Sequence, residues 1–248
     1  MNNRSQTRKK RRDSPPGITK IAVSGFKSLA KECAIEIRPL TLLAGANSSG
    51  KSSIIQPLLL LKQTLQASYD PGPLLLDGPN VRFTSAEQFL SKLSRQTAEN
   101  HFTIMVETEG GYFVQNTFSK SPKAMIELVE TVFRDKENEC VLHSNMTHEE
   151  IVSSYPRGNN LIKVLSNGMR PGTDREALEW KITRTRCFLS LELCQGELTL
   201  FNIFPGIEFL GPGTPFESHI RRLIHVPGLR GNPERIYKTT AIGPEFPG

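Results

Sequence analysis

The chain has 248 residues, 37% hydrophobic and 23% charged, enough to bury a substantial core as one large domain or a domain with an insertion. Its formal net charge of +6 is not spread over a nucleic-acid-binding surface: Arg4, Arg8, Lys9, Lys10, Arg11 and Arg12 supply six positive charges before the first hydrophobic run, leaving the body near neutral. No apolar run approaches the ~18 residues that cross a bilayer, and the basic start leads into Ser14-Pro15-Pro16-Gly17 instead of an apolar signal core, so the expected location is cytoplasmic.

Residues 1–17 read as a disordered, solvated basic tail that can touch DNA or an acidic partner. Ile18 to Ser24 alternates as a first strand ending at Gly25-Phe26-Lys27-Ser28, and β-branched Ala34 to Ile37 forms a second. Past Pro39, the compact apolar run Leu40 to Ala44 is expected to be a buried strand. The loop Gly45 to Gly50 follows. From Lys51 to about Ala67 the spacing of Ile54, Ile55, Leu58, Leu59, Leu61 and Leu65 predicts a largely buried helix, kinked where Pro57 removes a backbone donor.

Tyr69 to Pro73 is a loop, and Leu74 to Pro79 is a short extended run entering a turn. His101 to Glu107 and Tyr112 to Phe118, joined at Gly110-Gly111, make a hairpin, while Met125 to Phe133 fits helix and strand alike. Thr147 and Glu150 have capping-box spacing and start a short helix running to about Tyr155. Leu178 to Leu193 and Glu197 to Phe204 favour strands about a Gln195-Gly196 turn, and Phe216 to Ile224 is a short helical run in a Pro- and Gly-rich end. The organisation expected is therefore a tail (1–17), a nucleotide-binding lobe (18–100), a β-rich continuation or insertion (101–210) and a terminal segment (211–248).

Gly45-Ala46-Asn47-Ser48-Ser49-Gly50-Lys51-Ser52 satisfies G-x-x-x-x-G-K-[ST] at every required position, between an expected strand and an expected helix. The glycines allow tight backbone geometry, and successive N–H groups at a helix start surround a phosphate. Lys51 would contact the β- and γ-phosphates, Ser52 would hold Mg2+ through its hydroxyl, and Ser53 is a further phosphate contact. No guanine-reading NKxD-like element is present, and ATP is the expected nucleotide.

Hydrolysis needs a magnesium carboxylate and a group that orients water. Leu74-Leu75-Leu76-Asp77 resembles an apolar strand ending in such an Asp, but Gly78 stands where a second acid is expected and the run comes too soon after the loop. Leu165-Ser166-Asn167-Gly168 matches an LSxG signature core, yet Met169-Arg170-Pro171-Gly172 does not suit the helix that should follow, and the segment reads as a turn. Cys33, Cys140, Cys187 and Cys194 lack CxxC pairing and read as reduced thiols, and His143 and His148 lack a second ligand pair. Arg221, Arg222, Arg230 and Arg235 form a loose basic set that reads as a solvated surface.

Ile18 to Lys62, "ITKIAVSGFKSLAKECAIEIRPLTLLAGANSSGKSSIIQPLLLLK", resembles the amino-terminal lobe of the ABC-type, AAA-class ATPases grouped with RecF, SMC and OLD proteins. His225 to Gly248, "HVPGLRGNPERIYKTTAIGPEFPG", is similar to the segment preceding their carboxy-terminal lobe. The resemblance implies an α/β fold with a mixed sheet around the loop and a β-rich insertion. It also implies two lobes from two chains closing on ATP, with signature, magnesium carboxylate and switch histidine in the carboxy-terminal lobe, and work in DNA repair or defence against foreign DNA. The expectation is an ATP-binding lobe acting as a homodimer or with a partner subunit, either a truncated product, a fragment, or a protein completed by a separate chain. The competing readings are a noncatalytic interaction module that binds a partner or DNA, and a small-molecule kinase, for which no lid or acceptor motif is recognisable.

Overall fold

The computed structural model describes residues 17–47, 49–92, 100–122, 125–134, 139–154, 178–203 and 215–226, and the account below concerns these. The main layer is a six-stranded sheet ordered β2-β1-β3-β4-β5-β6, built from β1 (Ile18–Ser24), β2 (Cys33–Glu36), β3 (His101–Thr108), β4 (Phe113–Lys120), β5 (Ile126–Arg134) and β6 (Glu139–His143). Because β1 pairs with both β2 and β3, the β-rich stretch after residue 100 continues the amino-terminal sheet. All described pairs are antiparallel, which departs from the mixed sheet expected.

The predicted hairpin forms as β3 and β4 about Gly111, whose φ of 75° suits glycine in the turn. The segment left between helix and strand becomes β5. It buries Ile126 and Leu128 and then Thr131 and Phe133, each pair at the two-residue period of a sheet with one covered face, the phase changing at the register shift between β4 and β5. Its partner β6, which sequence reading leaves unassigned, buries Cys140 and Leu142 in the same way.

A second, three-stranded sheet comprises β7 (Leu178–Thr185), β8 (Phe188–Gln195) and β9 (Leu198–Ile203). It meets the larger sheet through a buried polar bridge in which every group has a partner. Asn116 Nδ2 donates to the Cys187 carbonyl at 3.0 Å, Thr131 Oγ1 donates to Asn116 Oδ1 at 2.9 Å, and Leu189 N donates to Thr131 Oγ1 at 3.2 Å.

Helix α1 (Gln56–Gln66) is buried along most of its length, from Pro57 to Leu65, as a core helix must be when apolar residues occupy several of its faces. It starts later than predicted, and Pro57 lies in its first turn, where a missing N–H costs nothing, so the expected kink is absent. Gln63 clamps the following loop to α1: its amide donates to the carbonyls of Leu75 and Val81, and its oxygen accepts the N–H groups of Asn80 and Val81 at 3.2 and 3.0 Å. Gly78 packs against this amide so closely that a Cβ would collide with it. That steric demand explains the glycine beside Asp77.

Two further α-helices and a 3-10 turn at Ala86–Gln88 are short. Helix α2 (His148–Ser154) has the predicted capping box, with Thr147 N donating to Glu150 Oε2 at 2.8 Å and Glu150 N to Thr147 Oγ1 at 3.3 Å. Helix α3 (Pro215–Arg221) packs on α1, where Gln66 Nε2 donates to the Arg221 carbonyl at 3.3 Å.

The expected buried strand at Leu40 to Ala44 does not form. The run is neither strand nor core, and Leu40 and Leu42 are 75% and 81% exposed. The cause is local. Pro39 offers no ladder donor, and Thr41 Oγ1 accepts the Arg38 N–H at 2.9 Å and lies within reach of the Glu36 carbonyl, turning the chain away from the sheet after β2.

Candidate functional site

The sequence between Ala44 and α1 folds into a bend whose shape its glycines permit. Gly45 and Gly50 have φ of 149° and 91°, and a Cβ on Gly50 would lie 2.8 Å from Ser28 Oγ, so only glycine suits that position. After the bend the chain tightens into turns in which Ser53 N donates to Gly50 O at 2.9 Å, Ile54 N to Gly50 O at 3.3 Å and Gln56 N to Ser52 O at 3.0 Å. The N–H groups of Gly50, Lys51 and Ser52 have no acceptor among the described residues. Three successive free amides at a helix entry form a site of positive potential.

Lys51 folds back over this bend. Its Nζ donates to the carbonyls of Gly45 and Ala46 at 2.7 and 2.6 Å and lies 3.5 Å from Ser49 Oγ. The ammonium thus ties the two ends of the loop together. Ser52 is exposed at the surface of the site, whereas Ser53 is 8% exposed and packed beneath it.

Asn47, Ser49, Gly50, Lys51, Ser52 and Ser53 line one open cavity of about 770 Å3, while Gly45 and Ala46 support it through their carbonyls to Lys51. The structure therefore gathers the predicted site residues, except Ser48, which lies outside the described residues. Three further residues line the cavity that motif reading missed: Lys27, Ser28 and Gln56. Lys27 and Ser28 come from the turn after β1, and no spacing rule links that turn to the glycine loop; only the fold brings them together. Among the described residues the lining contains two ammonium groups and no carboxylate, so the cavity suits an anion.

Magnesium fits this donor set in part. The Ser52 hydroxyl supplies one hard oxygen, and Mg2+ bound this way takes its remaining ligands from phosphate, water and usually a carboxylate. Asp77 does not line the cavity; it is exposed and lies 3.8 Å from Arg82. Among the described residues no group of three potential metal-binding side chains occurs. His148 Nδ1 accepts the Trp180 N–H at 2.8 Å and His143 lies 3.6 Å from Glu130, which gives both histidines structural partners.

Cys33, Cys140, Cys187 and Cys194 are free in the structure. Burial pushes Cys140 up to about 12 and raises Cys187 as well, so neither supplies a thiolate for nucleophilic chemistry near neutral pH. Phe26 and Phe118 are fully buried core residues, and Phe113 carries the Arg134 guanidinium 4.4 Å from its ring, so none forms a base-stacking platform. The LSxG-like segment Leu165–Gly168 and the arginines Arg230 and Arg235 lie outside the described residues. Among the described residues no helix is long and apolar enough to cross a membrane.

A family model described as an AAA ATPase domain matches residues 17–168, a span that holds the glycine loop, the turn bearing Lys27 and the whole six-stranded sheet. No curated protein matches the chain.

Proposed function

The chain belongs to the AAA ATPase domain family, with an AAA-type P-loop NTPase domain over residues 17–168, and from that premise we propose that it is the ATP-binding lobe of an ABC-type ATPase. In this reading the bend from Gly45 to Ser53 takes the phosphates of MgATP. Its unpaired amides and Lys51 meet the negative oxygens, and the Ser52 hydroxyl faces the magnesium ion. The observation that carries the reading is the conjunction, among the described residues, of three N–H groups without an acceptor, two ammonium groups and no carboxylate around one cavity.

Hydrolysis requires groups that the described residues do not place here, above all a carboxylate for the metal and a residue to orient water. The proposal assigns these to a carboxy-terminal half, acting in a homodimer or supplied by a partner subunit. Leu40 and Leu42, exposed at 75% and 81% within one short run, support completion by a further polypeptide layer. Cytoplasmic work in DNA repair or in defence against foreign DNA is the pathway assignment that accompanies the ABC-type reading.

The same exposed leucines favour a second reading, a noncatalytic P-loop module that binds a protein partner or DNA. Calorimetry and a phosphate-release assay separate the two. The ATPase-lobe reading expects magnesium-dependent binding of ATP by this chain with weak or absent turnover until the completing half is added. Absence of ATP binding at millimolar concentration would leave only the interaction module.

A further inference from the structure

Among the described residues, no carboxylate forms an ion pair with Lys27. Lys27 follows Phe26 in a turn so tight that its own backbone is left-handed, at φ 50°, a conformation that residues other than glycine adopt rarely. Backbone bonds fix the turn: Lys27 N donates to Phe89 O at 2.6 Å, Leu29 N to Phe26 O at 2.8 Å, Ser91 N to Gly25 O at 2.8 Å, Phe26 N to Leu29 O at 3.1 Å and Gly25 N to Ala30 O at 3.3 Å. This geometry places Lys27 and Ser28 in the lining of the cavity that the glycine loop also lines.

The ammonium is oriented as well as placed. Its Nζ donates to Gln56 Oε1 at 2.7 Å and stands 4.7 Å from the centre of the Phe83 ring. An ammonium has three donors, and no acceptor among the described residues takes the other two. No carboxylate pairs with it either, and partial burial lowers its pKa from the ordinary lysine value through desolvation. A half-desolvated cation facing a cavity, with its neutral contacts fixed and its charge uncompensated, is complementary to a ligand that brings negative charge.

Resting on the reading of the bend as a phosphate cradle, we propose that Lys27 is a second phosphate-binding residue, which with Ser28 contacts the polyphosphate from the turn after β1, in the cavity that Lys51 also lines. Lys51 organises the loop through the Gly45 and Ala46 carbonyls, whereas Lys27 is organised by the core beneath it. The two ammonium groups thereby reach one anion from independently anchored segments. Gln56, which also lines the cavity, serves as a positioning residue that fixes the Lys27 ammonium there.

Titration calorimetry with MgATP and with inorganic tripolyphosphate, on the wild-type chain and on Lys27→Met, Lys27→Arg and Lys51→Ala, tests this directly. Loss of a charge-assisted contact predicts that Lys27→Met weakens both ligands about 10- to 100-fold. Lys27→Arg should restore part of that affinity. The melting temperature of ligand-free Lys27→Met should not fall, because the substitution removes an unpaired, partly buried charge and keeps an apolar stem over Phe83. Wild-type affinity in Lys27→Met alongside a loss in Lys51→Ala would overturn the proposal and leave the cradle intact. Equal affinities across all four proteins would instead overturn the cradle itself. A fall in affinity that arginine does not rescue, with a lower melting temperature, would show a structural role and also overturn the proposal.

Discussion

Replacing Lys51 with alanine is expected to weaken MgATP binding by about 3 kcal/mol, roughly 100-fold, with little change in folding stability. Two effects add. The variant loses a cation that would meet phosphate oxygens, and it loses the hydrogen bonds that now hold the Gly45 and Ala46 carbonyls 2.7 and 2.6 Å from Nζ. Without them the carbonyls are free to turn toward the ligand and repel it, while the amides of Gly50, Lys51 and Ser52 lose their fixed direction. Folding should be almost indifferent, because these hydrogen bonds are exposed and such substitutions usually lie within about 0.5 kcal/mol. Calorimetry measures the affinity, and a denaturant titration measures the stability. Equal affinity in the two proteins would contradict the assignment of the loop.

The second large effect is expected in the core beneath the site. Phe26 is fully buried and sits among three other rings, stacked on Phe89 at 5.5 Å and edge-on to Phe83 and Phe102 at 6.2 and 5.5 Å. Phe26→Ala should destabilise the chain by about 3–5 kcal/mol, combining lost apolar burial with the cavity left among rings that cannot collapse. That is a large share of a marginal stability of roughly 5–15 kcal/mol. Phe26→Leu should cost less, about 1–2 kcal/mol, because it retains most of the volume. Since Phe26 precedes Lys27 and Ser28 in the same turn, the leucine variant should also loosen the cavity wall and weaken MgATP binding. Chemical denaturation checks the first expectation; an unchanged unfolding midpoint in Phe26→Ala would show that the ring cluster does not hold this fold together.

The parts of this molecule legible in the sequence are those whose cause is local. Strand β1 and the β3–β4 hairpin follow from alternation and a Gly-Gly turn, α2 from a three-residue capping pair, and the phosphate-loop pattern from eight consecutive positions. Elements set by tertiary context were not legible in the same way. Leu40 to Ala44 has the composition of a buried strand, but burial requires a neighbouring strand to cover it, and the Thr41 turn directs the run into solvent. Pro57 reads as a helix breaker only when the helix is taken to start at Lys51; with α1 beginning at Gln56 it occupies the one turn that accepts it.

The candidate site divides the same way. The glycine loop announces itself because its chemistry depends on contiguous main-chain amides. Lys27 and Ser28 lie 18 and 17 residues before Gly45 in sequence, and their part in the cavity depends on the aromatic core that props up their turn. The signal that could have found them is the unusual demand on backbone at Gly25-Phe26-Lys27-Ser28, where a glycine and then a lysine take left-handed dihedrals within three residues. Ladder direction was equally closed to sequence reading: the same alternating residues pair in parallel or antiparallel order, and the contacts of β1 with β2 and β3 are what decide it.

The most direct measurement is a crystal structure with Mg2+ and a nonhydrolysable ATP analogue. The account predicts phosphate oxygens within hydrogen-bonding distance of the Gly50, Lys51 and Ser52 amides, with the Lys51 ammonium adding a phosphate oxygen to its loop carbonyls. An analogue bound elsewhere on the chain, with those amides unoccupied, would contradict it.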